Sequence, residues 1–483
     1  MKLLTADEMR ETDRTMIHHG VPPLVLMENA ACRVVEFLEQ EFAPLCDHRI
    51  LVICGKGNNG GDGLAVARQL RMRSTPARLW VVLTADRDGL SDDAAANLKI
   101  FEMCRGNHVV REVTPEMYGA TIVIDALLGT GLTGPAKAPA SDWIARINRD
   151  WPFAKKVAID LPSGMSSDRA ASPGETVLAD YTVTFTAPKI GMVQWPNCER
   201  TGKLMVGNIG CPGSWLEDVT PIHLSEPVEF KHLFAARKQE SNKGSYGHVL
   251  VIGGAEGKTG AAEMTGLAAL RIGAGLVTVS SRGQMRTPEL MTETPPSFDR
   301  KTVVALGPGI GTDSVIQENV RAWFRDCPLP MVVDADGLNA LAAGPAWDRP
   351  GSMRVLTPHP GEMARLTGTT VQQVQADRLA IARHFASERG VVLVLKGNRT
   401  VIAFPDGRAW INPTGSPAMA TAGTGDVLTG LVAGLIAQHP DDIALCVVAA
   451  VWLHGRCGEL CGGPLIATDL LNHLREAIGE AGS

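Results

Sequence analysis

Apolar residues in this chain gather into short runs rich in Val and Ile, many of them stopped by a glycine or an aspartate. In the first half they fall at 49–54, 78–83, 121–124, 156–159, 181–185 and 204–206. In the second half they fall at 247–254, 276–279, 302–306, 331–333, 353–356, 391–395 and 400–404. Runs without polar alternation read as strands buried on both faces, as in a parallel sheet covered by helices. Helical stretches separate some of them, at 9–16, 27–42, 64–71, 263–272 and a long one near 371–389. The clearest helix carries Val427, Leu428, Leu431, Val432, Leu435 and Ile436 on one face. Between about 213 and 241 the pattern weakens, and Pro212, Pro221 and Pro227 punctuate a charged segment read as a linker plus the entry to the next domain. The expected fold class is α/β, in two mainly parallel domains.

A length of 483 residues allows two or three domains. The net charge of −6 comes without a basic run or aromatic–basic interleaving, so no nucleic-acid partner is expected. The ten cysteines follow no framework spacing and read as reduced thiols. Cys457 and Cys461 near His454 lack a matching second ligand pair, so they read as buried small residues, not a metal site. Residues 1–20 have no apolar leader, and no run looks long and apolar enough to span a membrane. A cytoplasmic protein with no membrane partner is expected.

The most informative stretch runs from Asn412 to Gln438. A long glycine-containing loop ends at Asp426, where a helix is expected to begin. Gly423 and Gly425 allow close backbone approach, and the free N–H groups of a helix start favour an anion such as phosphate. Asp426 beside that hole is a candidate base, its charged form favoured by the helix dipole. An isolated Gly-Asp would instead be a simple helix cap.

The first half offers Gly55-Lys-Gly-Asn-Asn-Gly-Gly-Asp-Gly63 after a strand, which satisfies G-x-G-x-x-G but not a P-loop. Asp125 ends another run, ahead of a glycine loop through Gly129, Gly131, Gly134 and Pro135. Asp160 ends a third, just before Ser163. Asp125 and Asp160 with Asn59 and Ser163 suit either a hard cation held by oxygen or a carboxylate that moves a proton.

Gly-Asn-Asn-Gly-Gly-Asp-Gly, Asp-Ala-Leu-Leu-Gly-Thr-Gly, Ile-Asp-Leu-Pro-Ser-Gly and Thr186-Ala-Pro-Lys189 resemble the epimerase domain of NAD(P)H-hydrate repair enzymes over residues 1–215. The resemblance implies a Rossmann-like three-layer αβα domain. It implies that Asn58, Asn59, Gly60, Gly61 and Asp62, with Gly129, Thr130, Gly131, Leu132, Thr133, Gly134 and Pro135, hold the hydrated dinucleotide. It implies potassium at Asn59, Asp125 and Ser163, and it places Asp160 at the substrate as a catalytic candidate. Lys56 departs from the family pattern but leaves the cradle intact.

In the second half, Gly307-Pro-Gly309-Ile-Gly311, Thr357-Pro-His359-Pro-Gly-Glu362, Leu395-Lys396-Gly-Asn-Arg-Thr400 and Gly423-Thr-Gly-Asp426 resemble the ADP- or ATP-dependent NAD(P)H-hydrate dehydratase. The match spans about 243 to 474, within a domain taken as 225–483, and implies a ribokinase-like fold. It implies that Lys396, Gly397, Asn398, Arg399, Thr400 and Gly425 form the nucleotide (ADP/AMP) site. It implies that Ala261, Gly309, His359 and Asp426 meet the substrate, with Asp426 catalytic. Arg399 stands where the family varies.

Together the two resemblances imply a bifunctional isomerase and lyase that acts on the hydrates of NADH and NADPH (NADHX and NADPHX). The first domain would interconvert the R and S hydrates. The second would dehydrate the S form with ADP or ATP and Mg²⁺, giving AMP and phosphate if ADP is the donor. Assembly into a homo-oligomer is expected by the same likeness. The competing readings are a small-molecule kinase using the same Gly-Thr-Gly-Asp loop, a non-catalytic dinucleotide-binding module, and an NAD dehydrogenase for which no hydride-acceptor site can be named.

Overall fold

The computed structural model describes residues 1–104 and 109–482. The chain divides into two compact units, Lys2–Thr220 and Pro221 onward, the latter joined by Met1.

The first unit is built on six parallel strands: β1 (Arg49–Cys54), β2 (Arg78–Leu83), β3 (Ile122–Ala126), β4 (Lys155–Ile159), β5 (Tyr181–Phe185) and β6 (Lys203–Gly207). Their order is β2-β1-β3-β4-β5-β6. Burial on both faces explains the unbroken apolar runs. Ile50, Val52 and Cys54 enter one core with the helices Pro23–Glu41 and Asn58–Arg73, whereas Leu51 and Ile53 enter another with Trp143, Ile144 and Ile147 of the helix Ala140–Asp150. The chain leaves β1 toward β2 on one side and returns as β3 on the other. That reversal opens a crevice beyond the carboxyl ends of β1 and β3, where open sheets bind ligands.

The second unit carries ten strands: β7 (Ile222–Leu224), β8 (His248–Ile252), β9 (Leu276–Ser280), β10 (Met291–Glu293), β11 (Val303–Leu306), β12 (Met331–Val333), β13 (Arg354–Leu356), β14 (Val392–Leu395), β15 (Val401–Ala403) and β16 (Ala409–Ile411). The order is β10-β9-β8-β11-β12-β13-β14-β15-β16-β7. The sheet is parallel from β10 to β14, and β15 runs antiparallel to both its neighbours. Here the reversal lies between β8 and β11. The helix Thr424–Gln438 packs closely on Thr259–Ile272. A Cβ on Gly430 would stand 2.1 Å from Thr265 O, and one on Gly434 would stand 2.3 Å from Ile272 Cγ2.

Four expectations change. The segment read as a linker contains β7, which pairs with β16 in the second unit's sheet. The helix expected near 371–389 is two helices, Val371–Ala376 and Arg378–Arg389, because Asp377 leaves helical geometry and caps Ala380 N. The helix expected from residue 64 starts at Asn58, so the glycine-rich segment forms its first turns. Finally, Ile443–Leu460 does reach the length and hydropathy of a membrane span. In this fold its Cys446, Val447, Ala450, Val451 and Leu453 are taken up by the second unit's core.

Candidate active site

Each unit brings its strand-end carboxylates together at its own crevice. In the first, a cavity of about 540 Å³ is walled by Lys56 and by Asn58, Asn59 and Asp62 of the helix start that follows it, and by Leu127 to Leu132 from a loop. Asp160, Lys189, Asp13, Arg10 and Asp93 add to its polar lining. Gly60, Gly61, Thr133, Gly134 and Pro135 lie outside that lining. Gly60 and Gly61 have a different task. A Cβ on Gly60 would stand 2.0 Å from Gly55 O, and one on Gly61 would stand 2.8 Å from Met27 Sδ. Both glycines let the helix start press against the body of the domain. Asn58 accepts from Ser91 Oγ at 2.9 Å.

Asp125 is fully buried at the end of β3, and both it and Ser163 lie outside the cavity lining. It accepts from Ser163 Oγ at 2.6 Å, Ser163 N at 2.8 Å and Leu127 N at 3.2 Å. Burial raises its pKa to about 6 against the lowering effect of those donors. Asn59 donates to Leu128 O at 3.0 Å, but its Oδ1 is buried without a hydrogen-bond partner. An orphaned amide oxygen beside a carbonyl, a hydroxyl and a carboxylate is a donor set suited to a hard monovalent cation.

Asp160 sits just past β4 at φ 64°. It accepts from Lys189 Nζ at 2.5 Å and from Thr184 Oγ1 at 3.2 Å. Lys189 itself is only 1% exposed and also donates to Thr184 Oγ1 and Phe185 O. Burial pushes Asp62 well above the usual carboxylate range, with Asp160, Asp13 and Asp93 adding to the effect.

In the second unit, β12 delivers Asp334, β13 delivers His359, and β14 delivers Lys396. Asp334 is 2% exposed and accepts from Lys396 Nζ at 2.8 Å, Thr429 Oγ1 at 2.9 Å and Ala335 N at 2.8 Å. Glu362 lies 3.9 Å from the same ammonium. Burial alone would lower Lys396, but Asp334 and Glu362 leave its pKa raised. Gly425 is small for a reason: a Cβ there would be 3.3 Å from Lys396 Nζ and 3.4 Å from Asp334 Oδ2.

The helix expected to open at Asp426 opens two residues earlier, at Thr424, after Gly423 at φ 93°. Asp426 therefore lies in the first turn. Its expected ease of ionisation needs correcting. Burial and the nearby Asp334 raise its pKa to about 6, although Lys396 pulls the other way. It is still mostly a base at neutral pH. Thr265 Oγ1 donates at 3.0 Å to Asp426 O and to Ala261 O, tying the two together. Gly309, at φ 60°, would place a Cβ 3.2 Å from Ala261 Cβ. His359 accepts from Gly361 N with Nδ1 at 3.0 Å, so its Nε2 carries the proton when the ring is neutral. That nitrogen lies 3.4 Å from Glu362 Oε1, on a ring that is half-exposed.

The loop 396–400 is shaped from below. Arg378 is buried and donates to Leu395 O at 2.8 Å, Lys396 O at 3.1 Å and Asn398 O at 2.6 Å. Thr400 Oγ1 donates to Gly397 O at 2.9 Å, and Arg399 takes φ 58°. His454 spans to Thr424 O at 2.8 Å, and burial lowers its pKa to about 4.

Sequence reasoning missed Asp334, Arg378 and Asp13, and gave Lys189 and Glu362 no role. Asp334 ends the apolar run Met331-Val-Val, the signal that marked Asp125 and Asp160. Arg378 and Asp13 sit among other charged residues with no local signal.

Two open α/β units, each gathering carboxylates and a paired lysine beyond the carboxyl ends of its strands, define an enzyme with two separate ligand sites. Residues 249–479 match the family model described as NAD(P)H-hydrate dehydratase, and residues 23–191 match that of the YjeF-related protein N-terminus. The chain is 41% identical to the bifunctional NAD(P)H-hydrate repair enzyme Nnr of Moorella thermoacetica, over 98% of this chain and 96% of that one. It is 36% identical to the Nnr of Coxiella burnetii over 97% of each. Among solved structures it is similar to an ADP/ATP-dependent NAD(P)H-hydrate dehydratase from Bacillus subtilis co-crystallized with ATP/Mg²⁺ (TM-score 0.49, 32% identity, 54% of this chain and 98% of that one). The chain belongs to the bifunctional NAD(P)H-hydrate repair enzyme family.

Proposed function

We propose that the Lys2–Thr220 unit interconverts the R and S hydrates of NADH and NADPH, and that the Pro221-onward unit dehydrates the S hydrate using ADP or ATP. The observation that carries the second half is Asp426 in the first turn of a helix whose Gly425 lies against Lys396. Hydroxide leaves a ring poorly. Phosphorylating the C6 hydroxyl makes a good leaving group, and the ring nitrogen's electrons expel it. Asp426 removes the hydroxyl proton, and the amides at Gly423 to Gly425 hold phosphate oxygens. Lys396, held by Asp334, presents positive charge at the same place. Mg²⁺ would screen the phosphates, bound mainly by their own oxygens.

In the first unit the orphaned Asn59 Oδ1 supports a potassium site with Asp125 and Ser163. The ion would supply a fixed positive charge beneath the 127–132 loop. Asp160 faces the same cavity and is the residue for the substrate. The proposed setting is a cytoplasmic homo-oligomer, and the ten free thiols fit a reducing compartment.

The test is to give the purified chain hydrated NADH with ADP, then separately with ATP, and to follow the reduced-nicotinamide absorbance. Recovery with one nucleotide is expected. No recovery with either would discard the dehydratase assignment.

A further inference from the structure

We propose that Asp13 is a catalytic acid of the first site, a role that rests on the epimerase reading above. Asp13 lies on the helix Ala6–His18, distant in sequence from both glycine loops, yet it lines the same cavity as Asp160 and Lys189. Its Oδ1 is buried and has no hydrogen-bond partner. A buried carboxyl oxygen left free at the wall of a ligand cavity is an unmet polar group, which native folds keep rarely and mostly where a ligand meets it. Its neighbours sort by element. Lys189 follows β5, Asp160 follows β4, Lys56 follows β1, Asp62 rides the helix from Asn58, Asp93 opens the helix Asp92–Met103, Cys211 follows β6, and Arg10 shares its own helix. Lys189 is already bonded to Asp160 and Thr184, so Asp13 does not have it to itself. Burial raises the Asp13 carboxyl to about 6, with Lys189 opposing and Asp160 adding. The group holds a proton far more readily than an ordinary surface aspartate.

The step balances with water as the co-reactant. The Asp13 carboxyl gives its proton to the C6 hydroxyl oxygen. The C6–O bond breaks, water leaves, and the ring nitrogen's lone pair becomes the second C6–N1 bond. Water then adds to the opposite face of C6, the C=N electron pair returns to nitrogen, and the proton shed by that water passes to solvent, which reprotonates the Asp13 carboxylate before the next turnover. No oxidant or reductant is involved. The dinucleotide leaves with inverted configuration at C6.

The experiment uses the intact chain. R and S hydrates of NADH are separated chromatographically, and their interconversion is followed without ADP or ATP for wild type, Asp13→Asn and Asp13→Glu. Asp13→Asn is expected to lower kcat for interconversion by about 100-fold or more, with KM changed by less than about threefold. The wild-type rate is expected to fall as pH rises through about 6, and that limb is expected to vanish in Asp13→Asn. Asp13→Glu is expected to restore part of the rate. Nucleotide-dependent dehydration of the S hydrate, measured in the same samples, reports that the chain is folded. Interconversion by Asp13→Asn within about threefold of wild type, or a loss confined to KM with the pH limb intact, overturns the role of Asp13 alone. A wild-type chain that does not interconvert the hydrates overturns the epimerase reading, and this role with it.

Discussion

Lys396 donates to Asp334 at 2.8 Å, so the cation of the second site is held in place by a buried carboxylate. The lysine would otherwise be a long, mobile cation. Fixed by Asp334, it has two N–H directions left for a ligand, and Thr429 holds the far oxygen of the same carboxylate.

Breaking that pair is expected to cost more than removing it. Asp334→Ala leaves the half-buried ammonium with only Glu362, at 3.9 Å, and strips the Thr429 hydroxyl of its acceptor, and should lower stability by about 1–3 kcal/mol. Adding Lys396→Met should recover part of the loss. Chemical denaturation of the two single variants and the double variant checks this. A double variant as unstable as the sum of the singles would show that the two side chains do not act together.

Asp426→Asn is expected to abolish dehydration, by about 100-fold or more, and to leave interconversion of the hydrates unchanged. In wild type, kcat/KM for dehydration should fall as pH drops through about 6, because the base is then protonated. Stability should move the other way. Between the unfolded value and about 6 the folded chain binds the extra proton, so Asp426 weakens the fold as pH rises through that window. Asp426→Asn should therefore stabilise the second unit by on the order of 2 kcal/mol at about pH 8 and by nothing below about pH 4. Thermal unfolding across pH measures it.

Glycines in the first cradle should separate sharply on substitution. Gly60→Ala drives a methyl to 2.0 Å from Gly55 O, a backbone atom with no room to retreat, and should destabilise the first unit by about 2 kcal/mol or more. Gly131→Ala and Gly134→Ala meet nothing within 4 Å and should fold normally. Denaturation midpoints of the three variants decide the matter.

Potassium should raise the unfolding temperature of the first unit relative to choline at equal ionic strength. At 100 times Kd the gain is about 2.7 kcal/mol. Asn59→Ala should lose that gain, because the orphaned Oδ1 is removed. An equal shift in wild type and Asn59→Ala would place the ion elsewhere.

Much of this was legible because the strands are buried on both faces. The runs at Arg49–Cys54 and Met331–Val333 needed no alternation to be recognised, and the carboxylates that end several of them marked the two crevices. What stayed hidden depended on packing. Asp13 lies on a helix full of charges, and only the fold turns it toward Asp160. Arg378 reads as a surface charge until its three carbonyl acceptors are seen. β7 was lost among prolines because three residues carry no period, and its partner β16 is far along the chain. The pKa of Asp426 was misjudged because the dipole is local and visible, whereas Asp334 arrives from another strand.

The contact between Gly60 and the Gly55 carbonyl has a consequence for reading descent. Those two positions are locked by the body of the protein, so drift would preserve them even in a descendant that no longer bound any dinucleotide. The spare oxygens of Asn59 and Asp13 have no such protection, since a ligand is what would satisfy them, although Asn59 also holds Leu128 O with its amide nitrogen. In a lineage that had abandoned the reaction, these two would be replaced first, while the glycine signature outlived the activity it advertises.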